Sequence, residues 1–419
     1  MTAVLRRALW LLCVVPALAE ANPLDTYGAG PEGQATASAR TALDRSGAAA
    51  YYDPAQLAFA TQTRLDIGLG YYGSGLTYNG NGSMSDPFAG GAVSLVVPFG
   101  GALKGVAFGL YGLFPGDDLG RVLTRDPGTP QFLQYEALHR FALYAALAYH
   151  LGPVAAGIGV QVLNSAVGQL ALTEDLAAAS IPQRTLQLDL VPKASFDAGL
   201  AWNATDWLRF GASYRGPSQV GLSLPANVNL GPLAFDLQLD ATSFWRPPTW
   251  TLGAAYVGSG FSLDVDASWL QWSQAPDPAL QAQLTPSSPI LPNLSSGSTG
   301  VTLRDEPVVR VGGELHLAGP FSLLAGYAYA PSPVPDQTGP TNLLDCDRHE
   351  VAAGILWSFD DAIGFSTGPD ALVLGGQYHA LVQRQALKSD PLDLYGDSTY
   401  GGSLWQVSLT LILRFGGGA

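Results

Sequence analysis

The residues best able to do acid–base or metal chemistry in this chain are five histidines: His139, His150, His316, His349 and His379. They are scattered, and no two stand at a metal-ligand spacing. His349-Glu350 lacks a second His four residues on. Asp345, Asp347 and Glu350 could meet a calcium ion, but the EF-hand glycine and spacing are missing, and a solvated outer loop is the competing explanation. Gly68-Leu-Gly-Tyr-Tyr-Gly73 spells G-x-G-x-x-G. No helical segment follows it, and Gly70 lies inside an alternating stretch, so it is no dinucleotide fingerprint. There is no Gly-x-Ser-x-Gly elbow, and no Ser/His/acid set can be assembled within one wall. No cofactor, no metal and no enzymatic activity are expected.

The cations are few. The lysines are Lys104, Lys193 and Lys388. Lys193 shares its face of an extended segment with Ser195, Asp197 and Gly199, opposite Ala194, Phe196, Ala198 and Leu200. Arg140 and Arg310 also fall on inward faces. A cation in a low-dielectric groove strongly favours a carboxylate. Lys193, Arg140 and Arg310 are therefore the candidate ligand-binding residues. Structural pairing with Asp197, Glu314 or Asp266 is the competing explanation.

The elements that would position these side chains are strands. Residues 403–415 read Ser-Leu-Trp-Gln-Val-Ser-Leu-Thr-Leu-Ile-Leu-Arg-Phe. Trp405, Val407, Leu409, Leu411, Leu413 and Phe415 share one face; Gln406, Ser408, Thr410 and Arg414 share the other, with Ile412 as an apolar intruder. A period of two gives one apolar and one wet face, over a length that crosses a bilayer at a tilt. Similar segments begin at Arg64, Gly90, Lys104, Leu138, Val154, Thr185, Asp206, Asp236, Phe261, Val308, Phe321, Arg348, Ala371 and Ser403. The spacing predicts an all-β chain: a transmembrane antiparallel barrel of about 14 strands, an even number as single-chain bacterial barrels have. One predicted strand runs over Asp236–Val257. Connections alternate short (Leu151–Pro153, Asn203–Thr205, Gly258–Gly260) and long (Gly168–Arg184, Gly216–Phe235, Ser273–Pro307), which is the barrel pattern.

Composition agrees. Charged residues make up 13% and hydrophobic ones 47%, and the net charge of −14 argues against nucleic acid. Arg6 and Arg7, the apolar stretch Ala8–Ala19 and a small-x-small site read as a signal peptide, 1–21. Cys13 falls within it, leaving Cys346 alone with no disulfide framework. Residues 22–62 are Ala- and Gly-rich and lack strand alternation; they are expected to be a plug in the lumen, or else a periplasmic tail. The barrel is placed at 63–415, and 416–419 are a short tail.

These residues resemble the FadL/OmpP1/TodX family of outer-membrane transporters for long-chain fatty acids and aromatic hydrocarbons. Four stretches carry the resemblance. Gly28 to Leu57 includes Asp44 and Tyr51-Tyr52-Asp53-Pro54-Ala55, where the family usually has Asn-Pro-Ala. Phe244-Trp-Arg-Pro-Pro-Thr-Trp runs on to Trp272-Ser273. Ser332-Pro-Val-Pro-Asp336 leads to Arg348. The terminal strand is the fourth. Asp53 departs from the family Asn, but either side chain can cap a turn before Pro.

The resemblance implies a 14-stranded barrel in the outer membrane with a hatch at Asp44, Asp53, Pro54 and Ala55. It implies passive uptake of hydrophobic or amphipathic molecules through an apolar groove, hatch movement and sideways exit. Fatty acids are the first expected substrate and aromatic hydrocarbons the second. An adhesin or structural barrel is the rival from another class, and an open porin a third. Gly109, Gly112 and Pro115 mark the expected lateral opening, since glycine and proline weaken a strand; alternatively these glycines make room for the plug. The expected partners are the substrate, outer-membrane lipid and lipopolysaccharide, and the barrel assembly machinery. The chain is expected to be a monomer with both termini in the periplasm.

Overall fold

The computed structural model describes residues 23–82, 87–116, 128–134, 141–175, 180–230, 233–277, 281–286, 293–295, 299–360, 366 and 368–416. Fourteen antiparallel strands form its wall. They are β1 (Thr63–Tyr78), β2 (Phe88–Pro98), β3 (Val106–Pro115), β4 (Ala142–Leu151), β5 (Val154–Asp175), β6 (Ser180–Asn203) and β7 (Leu208–Arg215). The others are β8 (Thr249–Val257), β9 (Phe261–Leu270), β10 (Glu306–His316), β11 (Phe321–Ala330), β12 (Arg348–Asp360), β13 (Pro369–Ala386) and β14 (Ser398–Phe415). The last strand pairs with the first from Thr63↔Phe415 to Tyr78↔Tyr400, so the sheet closes on itself and has no edge. The tight turns lie at the end of the barrel that carries Thr63 and Phe415.

Two expected boundaries are corrected. Asp236–Val257 is not one strand. Pro247 and Pro248 cannot donate to a ladder, and the run breaks there. Its first half, Leu233–Arg246, pairs with Ser218–Leu230 in a hairpin outside the wall. The first arm of that hairpin lies parallel to β5, between Leu222↔Ala166 and Asn229↔Thr173, where β4 has already ended at Leu143↔Val162. Gly168–Arg184 is also not a loose loop: β5 and β6 stay paired to Asp175↔Ser180. Arg140 and residues 1–22, including the expected signal peptide, lie outside the described residues.

Burial is inverted relative to a water-soluble protein. Asp264 and Gln161 on the inner face are fully buried, while Leu69 is 71% and Phe196 74% exposed on the outer one. An outward apolar band around a polar interior is what hydrocarbon requires of a spanning sheet. Aromatic rings mark its rims. Trp250, which neighbours Tyr214 at 4.6 Å, and Tyr256, which neighbours Phe261 at 5.1 Å, stand at opposite ends of β8. Their separation is about 20 Å along the strand.

The lumen is filled by the segment ahead of β1. It contains α1 (Pro23–Tyr27), α2 (Gly30–Ala35), α3 (Ala49–Tyr52) and a 3-10 turn, Pro54–Phe59. Each is too short to be stable alone, so the wall must supply what holds it. Gly28 (φ +74°) and Gly30 (φ +70°) let the chain reverse between α1 and α2. Ile412, the apolar intruder of β14, packs in a cluster with Ala35 of the hatch, Leu324 and Val373.

Candidate functional site

The hatch is seated by wall glycines. Beside β5 the carbonyl carbon of Pro54 and the amide of Ala55 occupy the place a side chain at Gly157 would take, and Asp53 does the same at Gly199. Thr41 fills the space at Gly211, Thr36 that at Gly312 and Gly326, and Ala35 that at Gly354. Absent side chains here let hatch backbone approach wall backbone. Gly109 belongs to the same ring: Leu57 takes the space of its Cβ.

Polar contacts fix the register of the seat. Asp266 Oδ2 accepts from the amides of Arg40 (3.0 Å) and Thr41 (3.1 Å) and from the Thr41 hydroxyl (2.8 Å). Gln377 donates to the carbonyls of Tyr27 (2.9 Å) and Gln34 (2.7 Å). Arg64 of β1 bridges Glu32 at 2.8 Å and Asp66 at 2.6 Å. Burial alone would raise the Glu32 carboxyl, but Arg64 beside it holds it at about 2. Asp53 accepts from the Ala55 amide at 3.0 Å and caps the 3-10 turn. Burial pushes the Asp53 carboxyl well above its ordinary range, and the nearby Asp266 adds to this. Asp44 folds back on its own loop, accepting from the Ser46 amide at 2.8 Å.

Above the hatch lie two apolar side-chain clusters. The first stands on Tyr27 of α1 and includes Tyr72, Phe88, Phe132, Leu344 and Tyr400. The second includes Leu133, Trp245, Trp272, Val334 and Leu343. A two-stranded parallel pair from the outer loops, Gln131–Phe132 beside Leu343–Leu344, runs between them. Alternation along this pair sends Phe132 and Leu344 to one cluster and Leu133 and Leu343 to the other. The loops are tied over the mouth. Asn342 donates to Gly128 O and to Asp393 Oδ1, both at 2.7 Å, and Arg384 donates to Val334 O at 2.7 Å.

Beside these clusters is a buried cationic group. Arg215 ends β7 and stacks 4.1 Å above the Tyr51 ring. Arg246, just before the diproline, donates to Tyr144 Oη and to Gly216 O, both at 2.8 Å, and faces Asp197 at 3.9 Å. Arg310 donates to Ser268 Oγ at 2.8 Å and lines a small polar cavity with Arg215. Of the three cations expected to meet a ligand, then, Arg310 reaches this cavity. Lys193 stands exposed on β6, four residues before Asp197, and Arg140 is outside the described residues. Reasoning from the sequence missed Arg215 and Arg246. Arg215 shares a polar face with Ser213, and Arg246 sits in Phe-Trp-Arg-Pro-Pro; both signals stand in the chain. Among the described residues no cluster of His, Cys, Asp and Glu could hold a metal ion.

β3 pairs with β2 from Pro98↔Ala107 to Gly90↔Pro115, and with β4 from Val106↔Tyr149 to Leu113↔Ala142. The ladder is therefore continuous on both sides of Gly109, and no gap exists there. Gly112 lies on the lipid side, where Phe114 covers it.

A family model for outer membrane protein transport proteins (OMPP1/FadL/TodX) matches residues 134–371. The chain belongs to this family. Among solved structures, a Pseudomonas aeruginosa FadL homologue superposes with a TM-score of 0.63 at 16% identity, covering 96% of this chain and 99% of that one. The P. putida toluene transporter TodX gives 0.60 at 15% identity, with 93% and 99% covered. The Ralstonia pickettii toluene transporter TbuX gives 0.54 at 16%, with 92% and 98% covered. At these identities the likeness shows the fold. No curated protein matches by sequence. As an OMPP1/FadL/TodX protein, the chain is an outer-membrane barrel of a transport family, and the inverted burial of its wall has its reason in that location.

Proposed function

We propose that this protein carries hydrophobic and amphipathic molecules passively across the outer membrane, long-chain fatty acids first. The observation that carries this reading is an apolar cluster and a buried cation joined by one short helix. Tyr27 of α1 belongs to the first cluster, and Asp25 of the same helix meets Arg215. In this reading a fatty acid parts the cluster into a chamber for its tail and offers its carboxylate to the arginines. A second reading, aromatic hydrocarbon uptake, draws on the rings of Tyr27, Tyr72, Phe88, Phe132 and Tyr400 in that cluster, and on the toluene transporters that share the fold.

The route we propose runs from the outer loops into the clusters, past a shifted α1, and out through the wall into lipid. We place the exit at Gly112–Pro115. There Pro115 ends β3, and proline cannot donate to a ladder. Leaving sideways spares an apolar molecule a passage through water, at about 0.8 kcal/mol per CH₂. In this reading both termini are periplasmic, the outer band meets lipid and lipopolysaccharide, and the closed sheet serves as a monomer. β14, ending on Phe415, is the segment the barrel assembly machinery would take up.

Uptake of labelled oleate and of toluene in a transporter-deficient cell tests the reading. Oleate uptake that falls on deletion of 22–60 supports it, toluene uptake alone favours the second reading, and neither favours a non-transporting surface barrel. A large single-channel conductance would instead make the protein an open porin.

A further inference from the structure

Asp25 and Arg215 are held very differently. Arg215 ends a wall strand and is paired on both sides, to Asp197 and to Thr249. Its side chain is only 11% exposed. Asp25 belongs to a five-residue helix, and its side chain is 22% exposed. Asp25 Oδ1 accepts from the Tyr51 hydroxyl at 3.0 Å and lies 3.4 Å from Arg215 Nη1. The polar cavity beside them, shared with Thr26 and Arg310, measures about 20 Å³, which is room for about one water. An incoming head group therefore has no space of its own next to Arg215. It must take the place of the group already there.

We propose that Asp25 is an internal stand-in for the anionic head group of the substrate: it occupies Arg215 while no substrate is bound and is displaced by a carboxylate-bearing amphiphile. This rests on the fatty-acid reading above. Exchanging one carboxylate for another leaves Arg215 paired throughout, so the step avoids stranding a buried charge, which is the costly event at such sites. Removing Asp25 from Arg215 also takes away one of the ties on α1, whose Tyr27 belongs to the first apolar cluster, so that head-group capture and loosening of that cluster are linked. Uncharged hydrophobic molecules cannot make this exchange. They bind without release of Asp25, and the contact thereby discriminates between classes of substrate.

The test uses the full-length protein in lipid nanodiscs, with oleate and oleyl alcohol as probes that differ in the head group. Asp25→Asn removes the competitor, and oleate affinity should rise by about tenfold, the effect of one charge-assisted contact, while oleyl alcohol affinity stays constant. Arg215→Gln should weaken oleate and spare oleyl alcohol. Asp25→Ser serves as the second variant should Asp25→Asn not fold, with heat-modifiable gel mobility reporting the closed barrel. If folded Asp25 variants bind oleate no more tightly than wild type, while Arg215→Gln still weakens it, the stand-in role is overturned and the fatty-acid reading survives. If Arg215→Gln leaves oleate binding unchanged, or wild type binds no oleate, the carboxylate reading falls and the stand-in with it.

Discussion

Asp53 of the hatch and Gly199 of β6 share the space of a single methyl group: a Cβ at Gly199 would land on the Asp53 carboxylate. A hatch carboxylate therefore rests directly on wall backbone at this point. Gly199→Ala should force Asp53 away from the wall and cost about 1–3 kcal/mol of seating stability, the usual range for overpacking. The barrel itself should survive, since alanine keeps the backbone groups through which residue 199 pairs with β5 and β7. Thiol labelling of Gln56→Cys, buried in the native seat, should then speed up. Gly260→Ala, in a turn with open space around it, is the control and should change nothing.

The same carboxyl gives a pH dependence. Burial raises the Asp53 pKa in the seated hatch, with the Asp266 carboxylate adding to the effect. The seated form therefore binds a proton that a released hatch gives up at about pH 4. Seating is firmest at acid pH and weakens as pH rises through and above that value. Asp53→Asn cannot ionise and should flatten this component. Thermal unfolding followed by circular dichroism from about pH 4 to 8 reads the slope; equal slopes in wild type and variant would refute it.

Glu32 has the opposite sign. Burial opposes its ionised form, but Arg64 wins and holds the carboxyl at about 2, against an ordinary 4.5. Its contribution is complete above about pH 4.5 and disappears as pH falls through about 2. Glu32→Gln leaves Arg64 still paired with Asp66 at 2.6 Å. The loss should therefore be smaller than the roughly 3–5 kcal/mol of a buried pair broken outright. A double-mutant cycle with Arg64→Met, read from denaturant midpoints, measures the coupling directly.

Gln377 supplies both of its amide hydrogens to hatch carbonyls. Gln377→Ala orphans both acceptors and should loosen α1 and α2 by about 1–3 kcal/mol per carbonyl. Hydrogen exchange in residues 23–38 should quicken while exchange in β13 and β14 stays slow. Uniform acceleration would mean that Gln377 supports the wall instead.

The parallel pair over the mouth brings Phe132 opposite Leu344. Joining Phe132→Cys to Leu344→Cys by a disulfide should lock the two loops together. Uptake through the clusters should drop severalfold and recover on reduction. Unchanged uptake in the oxidised protein would show that substrate enters without parting these loops.

Much of this protein is legible along the chain. Alternation such as Phe261, Leu263, Val265 against Ser262, Asp264, Asp266 is local information, because a strand sends successive side chains to opposite faces whatever surrounds it. The strand count and the short turns follow from that period, and the missing alternation of the first segment marks it as something other than wall. Three-dimensional packing supplies the rest. Nothing local says that Gly109 and Gly157, on different strands, both give their space to the turn at 54–59, for a glycine's role depends on what approaches it. Arg215, Arg246 and Asp25 are far apart in sequence, and each alone reads as an ordinary charge on a polar face. They become one site only because the barrel closes and the hatch folds back inside it. Periodicity establishes a wall and something to fill it. Which residues meet is set by closure and packing, because contacts between distant segments leave no trace in the local pattern.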